Sequence, residues 1–197
     1  MNDLFHYSFA DIIRTAYAFI ITKIFYGKAR LVRRPFHIRG KKYLSYEEGF
    51  TTGYSCRIEI FGNETKLRIG KNCRIGDNVH IVASEKVIIG DNLLCASKVF
   101  ISDTSHGNYA DPTSLPSNPD EPPTDRELHS KPVSIGNNVW IGENVVILGG
   151  THIGDSCIIG SNAVVTGELP DYCIAVGSPA KPIKKFDHDT QKWIKCS

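Results

Sequence analysis

The chain has 197 residues, a formal net charge of +2 and 41% apolar residues. That is enough for one substantial core with a small appendage, and the ordinary composition excludes a disordered or fibrous chain. Six cysteines, at 56, 73, 95, 157, 173 and 196, form no Cys-x-x-Cys pair, so they read as reduced thiols of a cytosolic protein.

In chain order, residues 8 to 26 read as an amphipathic helix of wide apolar face. Ile13, Tyr17, Ile20 and Ile24 lie on one stripe, and Arg14, Ala18 and Thr22 on the other. The apolar stretch is interrupted by Arg14 and Lys23 and is too short to span a bilayer. Ile12 to Tyr46 carries nine Lys or Arg and no acid. That run suits an anionic surface such as the inner face of a membrane, and equally a solvated basic rim. It is not interleaved with stacking aromatics in a recognisable module, so no nucleic acid partner is expected. A basic connector is expected to about 46. Residues 50 to 68 alternate weakly through Ile58 and Ile60 and suggest an irregular first coil.

The dominant signal is a repeat of six. Ile69, Ile75 and Ile81 are in phase. After a two-residue insertion at Ser84 and Glu85 come Ile89, Cys95 and Ile101. After a long interruption come Ile135, Ile141, Ile147, Ile153, Ile159 and Val165. Gly follows the rung at 70, 76, 90, 136, 142, 154 and 160, and Asn stands two further on at 72, 78, 92, 138, 144 and 162. Each hexad reads as a short strand plus a bend, with Gly and Asn supplying positive φ. Three hexads close a triangular coil, and stacked coils bury an isoleucine ladder that no single coil could bury. Cys73, Cys95 and Cys157 fall at interior positions and read as small hydrophobes. The expected fold is thus all-β dominated: 1–48 holds the helix and connector, 49–170 a parallel β-helix with an inserted loop at 102–134, and 171–197 a short Lys-rich tail, read as helical.

The loop holds six of the ten prolines, at 112, 116, 119, 122, 123 and 132, and leaves a rigid scaffold, where function concentrates. His106 sits in Asp103-Thr104-Ser105-His106-Gly107, just after the last rung before the loop; His129 lies shortly before the repeat resumes. His80 and His152 precede rungs and face outward; His6, His37 and His188 lie outside the repeat. Asp103 either orients His106 or caps the turn after its strand.

The segment Ile135-Gly136-Asn137-Asn138-Val139-Trp140-Ile141-Gly142, two clean coils, a Leu-Pro-Asp turn and Gly177-Ser178-Pro179-Ala180-Lys181 together resemble the hexapeptide-repeat acetyltransferases. The branch is that of the galactoside and maltose acetyltransferases and the O-acetyltransferases of lipopolysaccharide synthesis, and the match spans about residues 69 to 186. The resemblance implies a left-handed turn, against the usual crossover preference. It also implies a homotrimer with sites between subunits, acetyl-CoA as donor, no required metal, and as acceptor a sugar hydroxyl of a surface polysaccharide or its precursor. By the same resemblance His106 stands where the catalytic histidine does, as general base with Asp103 beside it. Trp140 and Glu143 fall in the groove along which acetyl-CoA lies, and Ser161, Thr166 and Gly167 on the pantetheine path. Lys181, Lys184 and Lys185 are candidates for the nucleotide phosphates, and Ser84 and Glu85 for the acceptor side. Where the galactoside enzymes have a lysine after the threonine, this chain has Gly167.

Other readings are a small soluble sugar, an antibiotic or an amino acid as acceptor, and a non-catalytic scaffold. A zinc carbonic anhydrase shares the scaffold type but needs three converging histidines; His80, His106, His129 and His152 are spaced 26, 23 and 23 apart.

Overall fold

A computed structural model describes residues 8–109 and 115–196; the candidates His6 and Pro112 lie outside them. The chain winds as a left-handed parallel β-helix with three faces. Face A stacks seven parallel strands: Leu31–Val32, Thr51–Thr52, Arg74–Ile75, Leu94–Cys95, Trp140–Ile141, Ile158–Ile159 and Cys173–Gly177. Face B stacks Phe36–Arg39, Cys56–Ile60, His80–Ala83, Phe100–Ser102, Val146–Ile147 and Val164–Val165. Face C stacks Leu44–Tyr46, Leu67–Ile69, Val87–Ile89, Val133–Ile135, His152–Ile153 and Glu168–Leu169.

Each coil donates its amides to the next. Arg74 N–H bonds Leu93 O at 2.8 Å, Leu94 N–H bonds Val139 O at 2.9 Å and Trp140 N–H bonds Cys157 O at 2.9 Å. All twelve in-phase rungs are buried, as are the small residues at the bends, among them Cys73, Val79, Val99, Val139, Val145 and Ala163. Burying one isoleucine side chain stabilises by about 1.5–3 kcal/mol, so the ladder is the main cohesive element of the fold. Burial pushes the Cys95 thiol up to about 12, as expected of a packing residue.

The two turn residues have separate jobs. Asn72, Asn78, Asn92, Asn138, Asn144 and Asn162 all lie at φ near +55 to +62°. The ladder glycines do not: the positive-φ glycines are others, such as Gly107 and Gly167. The ladder glycines are required by close approach instead. A Cβ on Gly136 would stand 2.4 Å from Asp155 Oδ1 and 2.8 Å from Asp155 N. At this edge an Asp or Asn side chain just past the rung's turn caps the coil before it. Asp91 Oδ1 accepts from Lys71 N–H at 2.7 Å, Asn137 Oδ1 from Asp91 N–H at 2.8 Å, Asp155 Oδ1 from Asn137 N–H at 2.6 Å and Asp171 Oδ1 from Asp155 N–H at 2.7 Å. This satisfies amides that the bend withdraws from the strand ladders.

Three expectations change. The solenoid begins at Leu31, not near 50, because Leu31–Val32, Phe36–Arg39 and Leu44–Tyr46 pair in register with the following coil. Tyr26, Phe36 and Phe50 join its core, bulky side chains that hide this coil from a hexad pattern. The tail is not helical. Ala180–Asp187 runs antiparallel to Cys173–Gly177, and Lys192–Lys195 pairs with it in turn. Pro182, without an N–H, sits in the first of these strands and does not suit a helix interior. Finally, the helix Phe9–Phe25 (α1), started by a Ser8–Asp11 capping box, docks through its small side. Ala18 and Thr22 are buried, and the Thr22 hydroxyl accepts from Val32 N–H at 2.8 Å. Ile13, Tyr17, Ile20 and Ile24 are each more than half exposed.

Candidate functional site

Ser102 is the last residue of its face B strand, and the loop leaves the coil at the edge between faces B and C. The solenoid closes around this exit without a gap. Phe100–Ser102 pairs with coils on both sides, and Val133–Ile135 resumes on Val87–Ile89. The root of the loop is a short antiparallel pair, Thr104–His106 with Leu128–Ser130, which sets Ser105 opposite His129 and His106 opposite Leu128. Gly107 follows at φ +108°, where a Cβ would stand 2.5 Å from the Tyr109 hydroxyl.

His106 ends this pair with its side chain exposed. Its Nδ1 lies 3.2 Å from Pro123 O. A carbonyl oxygen only accepts, so the bond places the proton on Nδ1 and leaves the Nε2 lone pair outward. Neutral imidazole in that tautomer suits proton abstraction.

Asp103 does not orient His106. Its carboxylate is buried, 1% exposed, and turned into the preceding coil. Oδ2 accepts from the N–H groups of Glu85 and Lys86 at 2.8 Å each, Oδ1 from Ser84 N–H at 2.9 Å and from the Thr104 hydroxyl at 2.7 Å. The two-residue insertion bends the chain so that three consecutive amides converge, a nest that calls for an anion. Asp103 therefore fixes the shape of the Ser84–Glu85 turn; the Glu85 side chain is exposed and the Ser84 side chain half-buried.

His129 lines a 220 Å³ cavity with Asp103, Thr104, Tyr109, Lys131 and Leu148. Its Nε2 is buried without a hydrogen-bond partner, which suits it less to taking a proton from solvent-borne substrate. His80 is held by Glu59 Oε2 at 3.0 Å and His152 by Ser134 Oγ at 2.6 Å. Glu59 also receives Arg57 at 2.8 Å and Arg39 at 3.4 Å. The Arg57 hydrogen bond, with His80 and the nearby arginine charges, holds its carboxyl below the usual range. Among the described residues no group of three or more His, Cys, Asp or Glu could hold a metal ion.

The remaining candidates divide between edges. Thr166 and Gly167 lie on the same B–C edge, two coils beyond the His106 loop and three beyond the Ser84–Glu85 turn. Gly167, at φ +78°, has nothing within 4 Å of a would-be Cβ, so the edge is open there. Glu143 and Ser161 lie on the A–B edge and belong to its capping ladder: Ser161 Oγ accepts from Glu143 N–H at 3.2 Å, and Glu143 Oε2 accepts from Ser97 N–H at 3.2 Å. Trp140 stands on face A between Leu94 and Ile158, half exposed. Lys181, Lys184 and Lys185 are exposed on the antiparallel strand that extends face A. One chain does not bring these groups together around His106.

The structure adds residues that the sequence reading missed. Pro123, Tyr109 and Arg126 set the loop around His106; the only sequence signal was the proline-rich composition. Between α1 and face A lies an 860 Å³ groove lined by Ile12, Phe19, Leu31, Arg33, Arg74 and Leu94.

Comparison with known proteins agrees with this architecture. Residues 132–167 match the model of the bacterial transferase hexapeptide (six repeats), and residues 66–94 that of the hexapeptide repeat of succinyl-transferase. The chain is 40% identical over 191 residues to a putative lipopolysaccharide biosynthesis O-acetyl transferase, WbbJ, of Escherichia coli K12, covering 96% of this chain and 95% of that one. It is 33% identical over 165 residues to the galactoside O-acetyltransferase of the same organism, covering 82% and 76%. Among solved structures, a mutant of AntD, an N-acyltransferase from Bacillus cereus in complex with dTDP and coenzyme A, has the same fold, with a TM-score of 0.65, 19% identity and coverage of 81% and 82%.

Proposed function

The chain belongs to the hexapeptide-repeat acetyltransferases, and from that premise we propose that it moves the acetyl group of acetyl-CoA to a sugar hydroxyl of a surface polysaccharide or its precursor, with His106 as general base. The observation that carries the base is the Pro123 carbonyl 3.2 Å from His106 Nδ1. It holds the ring in one tautomer with Nε2 open on an exposed edge. Nε2 takes the hydroxyl proton as the sugar oxygen attacks the thioester carbonyl. The Pro123 carbonyl stabilises the imidazolium that forms, and the proton passes to the departing thiolate as the C–S bond breaks. The support for the acceptor is the near end-to-end match to a relative named for lipopolysaccharide biosynthesis.

The division of candidates between edges supports a homotrimer in which a neighbouring copy's A–B edge completes the donor groove. Thr166 and Gly167 then border the pantetheine arm beside His106, while Trp140, Glu143 and Ser161 come from the neighbour. Because the Glu143 carboxylate is engaged in its ladder, its coil would meet the arm through backbone groups. Lys181, Lys184 and Lys185, which form no ion pair among the described residues, suit the nucleotide phosphates. The turn of Ser84 and Glu85, fixed by Asp103, faces the acceptor. We place the enzyme on the cytoplasmic side, with the exposed apolar stripe of α1 and its basic neighbours against an anionic membrane. No helix among the described residues is long and apolar enough to cross one.

The test is thiol release from acetyl-CoA with a panel of sugar acceptors. His106→Ala is expected to lower kcat by about 10²–10⁴-fold with acetyl-CoA affinity nearly unchanged, and His129→Ala far less. Retention of more than about a tenth of the activity by His106→Ala puts proton removal elsewhere.

A further inference from the structure

We propose that Arg126 is the positioning residue of this site, a three-way clamp that holds the loop so that His106 keeps its proton on Nδ1; the proposal rests on the general-base reading above. The Arg126 guanidinium forms no ion pair at all among the described residues. Instead its Nε–H bonds Glu121 O at 2.9 Å, one terminal nitrogen bonds Pro119 O at 2.9 Å and the other bonds the Tyr109 hydroxyl at 2.7 Å. Each partner leads to His106. Pro119 and Glu121 lie in the segment that runs to Pro123, whose carbonyl accepts the hydrogen bond from His106 Nδ1–H. The Tyr109 hydroxyl, having accepted from Arg126, donates to His106 O at 2.7 Å. One side chain thus fixes the ring through the loop and the backbone through the tyrosine.

The chemistry explains why arginine stands here. The segment 119–123 is tied to its immediate neighbours by three short-range bonds: Asp120 N–H to Asn118 Oδ1 at 3.0 Å, Glu121 N–H to Asn118 O at 3.2 Å and Asp125 N–H to Pro122 O at 2.9 Å. Proline supplies no amide at 119, 122 or 123 to tie it to a neighbour. None of the three bonds serves the Pro119 or Glu121 carbonyl, and the two together call for a donor with several N–H groups at fixed angles. The planar guanidinium offers that fork; an ammonium on a flexible stem does not. Arg126 touches neither reacting atom, so its effect is on the orientation and tautomer of the base.

The experiment compares wild type, Arg126→Ala, Arg126→Lys and Tyr109→Phe, with His106→Ala to assign its resonance in ¹⁵N-histidine-labelled protein. In wild type the His106 ring should show the proton on Nδ1. In Arg126→Ala it should shift toward the Nε2–H form that an unconstrained histidine side chain prefers. Loss of the fixed geometry should lower kcat by about 10²-fold with the KM for acetyl-CoA within about two-fold and the melting temperature nearly unchanged. Arg126→Lys should not restore the tautomer, and Tyr109→Phe should lower kcat less than Arg126→Ala while keeping Nδ1–H. The proposal is overturned if Arg126→Ala keeps more than half of wild-type kcat. It is also overturned if kcat falls while the ring stays Nδ1–H, or if Lys restores both. Should Arg126→Ala fail to fold, a Tyr109→Phe protein as active as wild type and an Arg126→Lys ring unchanged from wild type overturn it equally. Failure of the base reading looks different: His106→Ala would then remain active whatever the tautomer does.

Discussion

Replacing Asp103 with Asn separates an acid that orients a catalytic ring from one that shapes a turn. The carboxylate accepts from three consecutive amides, Ser84, Glu85 and Lys86, and from the Thr104 hydroxyl, at 2.7 to 2.9 Å. Asparagine can keep its one oxygen where Oδ2 stands, still within reach of all three amides, since Ser84 N–H is also 3.0 Å from Oδ2. The Thr104 hydroxyl can rotate to accept from the new NH₂ group, which also stands 2.9 Å from Ser84 N–H, donor against donor. The geometry survives but the charge does not. Bonds to a charged acceptor contribute about 1.5–3 kcal/mol and neutral ones about 0.5–1.5, so three weakened bonds cost about 3 kcal/mol. For a chain of this size that lowers the melting temperature by about 6–12 °C. Asp103→Ala leaves the three amides without an acceptor, and the loss should be larger. Because the imidazole is held by Pro123 and not by Asp103, kcat of Asp103→Asn below its melting range should stay within a few-fold of wild type, with an unchanged pH–rate profile. The assays are thermal unfolding followed by circular dichroism and thiol release on the same samples. An unchanged melting point with a kcat lowered 100-fold refutes the structural role and returns Asp103 to the imidazole.

Three further outcomes follow from the scaffold. Gly136→Ala drives a Cβ to 2.4 Å from Asp155 Oδ1 and 2.8 Å from its amide, so it should cost more than the roughly 1–3 kcal/mol of ordinary overpacking, read as a lower midpoint in urea. Glu59, held below the usual carboxyl range first by its Arg57 hydrogen bond, contributes stability that is complete above the unfolded value of about 4.3 and is lost as pH falls through the folded one. The stability gap between wild type and Glu59→Gln should therefore be constant at neutral pH and close below about pH 4; a gap that widens on acidification contradicts the assignment. Five cysteines are buried and Cys196 is half-buried, so a thiol reagent should label one site rapidly in the folded chain and six after unfolding.

What could be read from the sequence is what repeats. Rungs such as Ile141 and Ile147 announce themselves because inside and outside alternate with a fixed period, and the positive-φ asparagines because few residues tolerate that conformation. The ladder glycines were legible as glycines but not by cause: only stacked coils show that Asp155 stands where a Gly136 side chain would be. The end coil at Leu31–Tyr46 was illegible because its buried residues, Val32 and Phe36, and the Tyr26 and Phe50 that join the same core do not recur with the hexad period. The chemistry follows the same rule. His106 could be found by its place at the root of the loop. The groups that set its tautomer could not, because Arg126 bonds backbone carbonyls at Pro119 and Glu121, and a carbonyl is present at every residue. The split of the other candidates is a matter of edges. Positions 143 and 161 recur at one corner of the triangle and 84, 103 and 166 at another, so a hexad count that ranks them along one chain cannot show that they are turned apart. A triangular coil turns its corners apart, so the candidates at the two corners come together only through the homotrimer proposed above.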